Sequence, residues 1–509
     1  MAKQLTAASI AAPGFYGLNT QESSITLAAG FALQADNCVI DKYGRLGARK
    51  GYTYLTSGSD GVDIKGAHEF IDINGTKYLG CWSDTDFYVS SGSVLTQVTY
   101  NGSNTITTDG WQAATLNDYA VLFHRDYTPI YFNPTTGVLD DISALGKGTP
   151  PQANTVLSAF GRLWCADTST NKTTVYFSTL LDGTDWQTSN GELDLSAVLV
   201  KGNDEIVALG AHNGRLIIFC KNNIIIYQDG DNFQTNMDVQ TLTLVDVISG
   251  VGCIARDSVQ NIGDDLVFLS STGIQSLGRV IQEKSQPLKD YSRNVRDDLV
   301  RDVSGTDPET IKSAYCAHEA FYLLLIPEYK RIYCFDTRSV LEDGSARVTV
   351  WDNQTHSNLL ETVTHGLVFC NADGLAVYNG YTDDGASYTM KYYTNYFDFG
   401  DATTTKFLKR LSTTLVGGSG QNLVLKVGYD YDDSYRSFPI SITSQANAEF
   451  GVAEYNTTAE YTIGTLADTI RASVGGQGSV MQVGFEATIN GTQLSIQKLD
   501  IYIKQGRVY

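Results

Sequence analysis

The residues best suited to proton transfer or metal binding are six histidines (His68, His124, His212, His318, His356 and His365) and eight cysteines (Cys38, Cys81, Cys165, Cys220, Cys253, Cys316, Cys334 and Cys370). Metal sites and dithiol centres need ligands at short, fixed spacings, so that one turn or hairpin presents two of them together. No HExxH or HxH occurs here, and no cysteine lies three residues from another. The spacing therefore points to no metal and no cofactor. Several cysteines sit inside apolar strand patterns, as in RLWCAD, LIIFCK and LVFCNA. They read as small buried thiols made in a reducing compartment, not as a disulfide framework.

Carboxylate chemistry has two candidates. The run YDYDDSY, Tyr429 to Tyr435, clusters acids that suit Ca²⁺. It lacks the glycine and the distal glutamate of an EF-hand loop and reads first as a solvated turn. The run STLLDGTDW, Ser178 to Trp186, approaches the Ser-x-Asp-x-Gly-x-x-Trp box of sialidase-like propellers. It has one residue too many, its Asp-Gly is misplaced, and it occurs once. A ring fold can still bring two distant carboxylates together as glycoside hydrolysis requires, so a glycan-binding or glycan-hydrolysing protein stays open as the alternative. No phosphate-binding GxxxxGK[ST] loop, strand-linked GxGxxG or GxSxG nucleophile elbow is present.

The elements that would position such residues are strands. The 509 residues include 48 Gly and 30 Tyr but only 9 Pro, with 18% charged residues, which fits many short strands joined by tight turns. A strand–turn–strand unit recurs seven times, with equivalent positions Tyr78, Ala120, Leu163, Leu216, Leu266, Tyr322 and Leu367, 42 to 56 residues apart. That period matches a four-stranded propeller blade. Leu216 to Phe219 are apolar without alternation, so both faces of that strand should be covered, as between facing blades. A stripe of Leu288, Tyr291, Val295 and Leu299 predicts one helix over 287–304, with Pro287 in its first turn. The period stops near residue 386, and alternating strands separated by Gly, Asn and Asp turns follow.

The fold expected is all-β with few helices: an N-terminal segment over 1–60 whose basic hairpin joins the propeller, a propeller of six or seven blades over 61–386, and a sandwich-like domain over 387–509. No apolar run approaches 18 residues, so no membrane span is expected, and the Ala/Thr-rich start reads as no signal peptide. The net charge is −20, with −19 in residues 1–386 and −1 in 387–509. A binder of nucleic acid needs a basic face, which this balance argues against.

One stretch departs from that acidity. LQADNCVIDKYGRLGARKGY, Leu33 to Tyr52, reads as a hairpin whose second half carries Lys42, Arg45, Arg49 and Lys50. Gly44 suits its left-handed turn position. Arg45 and Arg49 share a strand face, where they meet acids of a neighbouring blade or subunit, or remain solvated edge charges.

The wider run from Gly14 to Tyr52 resembles the N-terminal signature of tail nozzle proteins of short-tailed bacteriophages (podoviruses), the tail tubular protein B type. The matching positions are Gly17-Leu18-Asn19, then Asn37 within Asp36-Asn37-Cys38, then Gly44-Arg45-Leu46 with Arg49-Lys50-Gly51. The likeness extends to GRLWCADTSTNKTTVYFSTLLDGTDW and to the closing LSIQKLDIYIKQG. The resemblance implies a non-enzymatic structural virion protein, located in the tail and assembled in the bacterial host cytoplasm. It implies a homohexameric ring below an adaptor ring, bearing tail fibres or spikes. The ring prolongs the DNA-ejection channel, through which phage DNA passes without specific binding. An acidic lumen fits the charge counted above.

Overall fold

Each recurring unit folds because its apolar residues have a partner on both sides. In this computed structural model, residues 5–55, 61–91, 93–102, 110–187, 191–199, 204–229, 241–263, 265–284, 290–418, 420–442 and 467–508 are described. The chain forms a β-propeller of six four-stranded blades, joined to a two-sheet β body. Blades 1 to 4 are consecutive antiparallel meanders over residues 66–98, 112–141, 153–194 and 206–249. Blade 5 is Lys312–Cys316, Phe321–Ile326, Arg331–Asp336 and Arg347–Trp351.

Blade 6 takes three strands from residues 358–378 and its outer strand, Tyr52–Tyr54, from the other end of the chain. Tyr52 pairs with Tyr378 and Thr53 with Val377. The ring is thus sealed by a strand that precedes blade 1, so that opening it requires breaking a ladder and not only separating two packed faces.

Among the described residues the repeat around Leu266 makes no complete blade. Its strands Gln260–Asn261, Leu266–Ser270 and Gly273–Ser276 form a three-stranded sheet between blades 4 and 5. The chain then turns into a helix, α1 (Leu277–Glu283), capped by the Ser276 hydroxyl, which accepts from the Arg279 N–H. The outer edge of Gly273–Ser276 is answered instead by the segment that follows. The Ile274 N–H donates to Ser292 Oγ at 2.9 Å and the Tyr291 N–H donates to the Ile274 carbonyl at 3.1 Å. The single helix expected over 287–304 is shorter: α2 spans Arg296–Ser304 after a 3₁₀ turn at Arg293–Val295. Leu299 and Val303 bury its apolar stripe in the core, while Pro287 and Leu288 lie outside the described residues.

The seven equivalent positions all fall on the second strand of their sheets, so the repeat read from the sequence begins one strand late. The first strands, which face the ring axis, carry more polar residues and a weaker signal. The doubly covered strand is as expected: Leu216 and Ile218 pack into the core shared with blade 3, and Ile217 and Phe219 into the core shared with the three-stranded sheet.

The basic hairpin is not a blade strand pair. Cys38–Ile40 pairs with Leu46–Ala48, and Leu46 and Gly47 pair with Ile496 and Ser495 of the last strand, Leu494–Val508. This places residues 38–48 in a seven-stranded sheet with Thr404–Gly417, and Thr6–Ala11 pairs with the last strand, Leu494–Val508. The opposing sheet is continuous with blade 5. Beyond Arg347–Trp351, Gly17–Leu18 and Phe31–Asp36 add in parallel, followed by Tyr388–Thr394, Met481–Ile489, Asn422–Tyr429 and Arg436–Ser441. The two sheets enclose a core of Tyr392, Leu411, Leu425, Phe485 and Ile501. Among the described residues, the N-terminal segment therefore pairs mainly with the C-terminal body and with the edge of blade 5, and Tyr52–Tyr54 supplies a blade strand.

Candidate functional site

Two places gather polar groups with defined geometry: the joint built by the N-terminal signature, and the cavity on the propeller axis.

At the joint, Gly17 has φ +82°, and a Cβ there would stand 2.3 Å from the Val348 carbonyl oxygen, so only glycine lets this strand lie against blade 5. Leu18 is buried in the core. Asn19, also buried, accepts the Gln21 and Glu22 N–H groups at 3.0 and 3.3 Å, stopping the strand in a turn.

Asn37 is the hub. Its N–H donates to the Val350 carbonyl of blade 5 at 2.7 Å, and its side-chain amide donates to the Thr389 carbonyl of the β body at 3.0 Å. Its Oδ1 accepts from Asp352 N–H at 3.1 Å and from Arg49 Nε at 2.9 Å. Arg49, 2% exposed, reaches on to Asp383 with both terminal nitrogens, at 2.8 and 2.6 Å, and lies 4.1 Å from the centre of the Tyr388 ring. Gly51 passes so close to the 379–382 turn that a Cβ would meet the Thr382 carbonyl at 1.9 Å. Gly44 takes φ +73° at the hairpin turn as expected, against Pro13. Arg45 lies 4.4 Å from the centre of the Tyr43 ring. The structure thus brings Asn37, Arg49 and Gly51 together and leaves Gly17–Asn19 and Gly44–Arg45 on either side. Asp383, the counter-ion, sits in a turn-rich stretch, and no local pattern in the sequence links it to Arg49.

The second place is a cavity of about 500 Å³ where the first strands of blades 1, 2, 4, 5 and 6 meet the three-stranded sheet. Its charged lining is unevenly paired. Asp257 accepts from Arg256 at 2.9 and 2.8 Å and from Lys312 at 2.6 Å. Burial pushes its carboxyl up, but those two cations outweigh burial and hold it well below the usual range. Arg256 also donates to the carbonyls of Gly110 and Asn154, tying blades 2 and 3 to the incomplete sector.

Across the cavity, Glu69 accepts the Val363 and Thr364 N–H groups at 2.5 and 3.1 Å. Glu361 Oε2 is buried with no hydrogen-bond partner among the described residues, and burial raises its pKa, outweighing the Cys316 and Ala317 groups beside it. These groups bind backbone and one another. They can hold a polar ligand of small-molecule size. A cavity of this volume is that of a small-molecule site, far too small for a DNA duplex.

The other sequence candidates become turns. Asp430 Oδ1 accepts the Ser479 and Val480 N–H groups at 2.5 and 3.2 Å, and Asp432 accepts the Ser434 N–H at 2.9 Å. In the Ser178–Trp186 run, Asp182 accepts from Thr184 and Lys147, and the Trp186 indole donates to the Gly183 carbonyl at 2.9 Å. Among the described residues no group of three or more His, Cys, Asp or Glu side chains is placed to hold a metal ion, and no helix is long and apolar enough to cross a membrane.

No family model and no curated protein matches the sequence. Among solved structures, one similar chain is PorZ of Porphyromonas gingivalis, described as an essential bacterial surface component of the type-IX secretion system. The identity is 11% and the TM-score 0.36, over 64% of this chain and 37% of that one. The chain thus spans little more than a third of PorZ. The computationally designed Ika8 protein aligns at 13% identity and TM-score 0.38, over 71% and 98% of the two chains. U3-55K aligns at 8% identity and TM-score 0.39, over 64% and 98%. Similarity at that level says nothing of function.

Proposed function

We propose that this chain is a non-enzymatic structural subunit of a short bacteriophage tail, of the nozzle type, working as a hexameric ring that prolongs the DNA-ejection channel. The observation that carries this reading is the position of the signature residues. Asn37, Arg49 and Gly51, which carry the resemblance, lie where the propeller is locked to the β body. A subunit whose work is shape needs such a joint, and a ten-stranded sheet running through both parts supplies it. The charge of −20 suits a wall past which DNA slides. Since the propeller cavity is too small for a duplex, the channel of this reading runs between subunits.

The test is the size of the purified protein by native mass spectrometry and electron microscopy, alone and with an adaptor ring. The expected result is a closed ring of about six copies with a duplex-wide hole, as symmetric closure of a heterologous interface allows. A protein that stays monomeric with and without the adaptor would overturn the reading. One observation favours the alternative, a glycan-active propeller: Glu69 and Glu361 share the axial cavity. Glycan turnover lost in Glu361→Gln would decide for it.

A further inference from the structure

The run YDYDDSY, Tyr429 to Tyr435, has a feature that its role as a turn does not absorb. Asp430 and Tyr431 both take left-handed backbone, at φ +52° and +63°, and the Asp432 N–H closes the turn on the Tyr429 carbonyl at 2.9 Å. Such a turn selects glycine or asparagine at its centre, because a Cβ is crowded there. A tyrosine in the second central position is costly. A bulky residue held in that conformation marks a place where something besides stability sets the sequence.

The turn sets Tyr431 at the end of an aromatic row on the ten-stranded sheet. Two strand glycines make room for that row. A Cβ on Gly484 would meet the Tyr393 ring at 2.5 Å, and one on Gly428 would meet the Tyr435 ring at 2.9 Å. These two rings lie 5.1 Å apart, and their hydroxyls are engaged: Tyr393 donates to Glu486 at 2.6 Å and Tyr435 to Gln482 at 2.5 Å. Tyr396 shares a hydrogen bond with Tyr435. Tyr431 lies against Tyr396, with ring centres 4.6 Å apart and planes inclined at 53°. Exposure rises along the row, from 9% at Tyr393 to 46% at Tyr431.

The outer end of the row is open and acidic. Asp433 is exposed, and among the described residues no hydrogen bond or ion pair engages its carboxylate or the Tyr431 hydroxyl. Asp433 is close enough to Tyr396 and Tyr435 to act on both electrostatically. Arg436, the one cation of the loop, is committed elsewhere: it donates to the Gly475 carbonyl at 2.9 Å and lies 5.6 Å from the centre of the Tyr429 ring.

We propose that the notch between Tyr396 and Tyr431, with Asp433 beside it, binds a substituted ammonium group. The faces of aromatic rings attract a compact organic cation, and an unpaired carboxylate nearby adds to that attraction. Two rings inclined at 53° enclose a rounded cation better than the flat face of a sugar. A free choline-type headgroup and the lysine side chain of a partner share this chemistry. The site lies on the β body and does not depend on the nozzle reading.

The test is ligand-observed NMR titration of the full-length protein at fixed ionic strength. The probes are choline, N-acetyl-lysine amide, and the neutral isostere of choline in which carbon replaces nitrogen. The decisive variant is Tyr431→Gly. Glycine relieves the left-handed position, so this variant should unfold at the same temperature as the parent or a higher one, while cation binding weakens about fivefold or more through loss of one ring. Asp433→Asn, an exposed change, should also weaken binding and leave thermal unfolding unmoved. Binding of choline alone identifies a quaternary headgroup as the ligand, and binding of the lysine derivative identifies a side chain; either supports the site. No saturable binding of either cation, equal binding of the neutral isostere, or binding unchanged in Tyr431→Gly overturns it.

Discussion

Arg49 and Asp383 meet fork to fork, 334 residues apart, with Nη1 to Oδ1 at 2.8 Å and Nη2 to Oδ2 at 2.6 Å. The pair joins the exit of the basic hairpin to the turn that follows blade 6, beside the strand that seals the ring. Arg49 is buried and also holds Asn37 and the Lys50 carbonyl, so removing it strands several polar groups at once. Arg49→Met should cost about 3–5 kcal/mol, the range for breaking a buried ion pair from one side. Asp383→Asn should cost less, because Arg49 keeps its other two acceptors. Urea unfolding of both variants measures this, and equal small losses would mean that the joint contributes little.

Gly51 tests the same joint by shape alone. A methyl group there would enter the Thr382 carbonyl at 1.9 Å, and backbone on both sides cannot move independently of the ladder between Tyr52 and Tyr378. Gly51→Ala should destabilise by about 1–3 kcal/mol or more, the usual penalty for overpacking a tight site. Gly475→Ala is the control, since nothing lies within 4 Å of its Cβ position and its φ needs no glycine. Differential scanning calorimetry should separate the two by several degrees.

The second strands of the blades announced themselves in the sequence because both their faces are buried: Leu216, Ile217, Ile218 and Phe219 leave no polar position between them. The first strands did not, because residues such as His68, Glu69 and Glu361 face the axial cavity. The partnership of Tyr52–Tyr54 with blade 6, and of the hairpin with the last strand, is also invisible locally. Each pairs residues more than 300 positions apart, and alternation specifies a strand without saying which strand it meets. Asn37 and Arg49 were legible as a motif, but the pairings of Asp383 with Arg49, 334 residues away, and of Lys312 with Asp257, 55 residues away, were not, since nothing local marks either partner.

The eight thiols should be inert in the folded protein. All eight cysteines are buried and unpaired. Burial pushes Cys253 and Cys316 up to about 11 and raises the other six as well. The reactive species is the thiolate, and neutral pH leaves almost none. Iodoacetamide at pH 7.5, read by intact-mass spectrometry, should label none of the thiols quickly in buffer and all of them in 6 M guanidinium. Rapid labelling of a single thiol under native conditions would mark a local opening at that strand.

His356 supplies a pH dependence of known sign. It is 2% exposed, stacks on Phe369 at 4.2 Å and hydrogen-bonds Asn371 and Gln354. Burial, more than any neighbour, lowers its pKa from 6.5 to about 4. Between those two values the unfolded chain takes up a proton that the folded protein refuses, so acid favours unfolding. The contribution is therefore complete above about pH 6.5, declines as the pH falls, and is gone below about pH 4. Its full size is about 3 kcal/mol, from the shift at about 1.4 kcal/mol per unit. Unfolding free energies from pH 7.5 to 4.5 should fall less steeply in His356→Phe than in the parent, even though the variant starts less stable. A titration of the imidazole by NMR gives the independent check: a midpoint near 6.5 in the folded protein would remove this term, because a proton bound equally by both states cannot shift the balance between them.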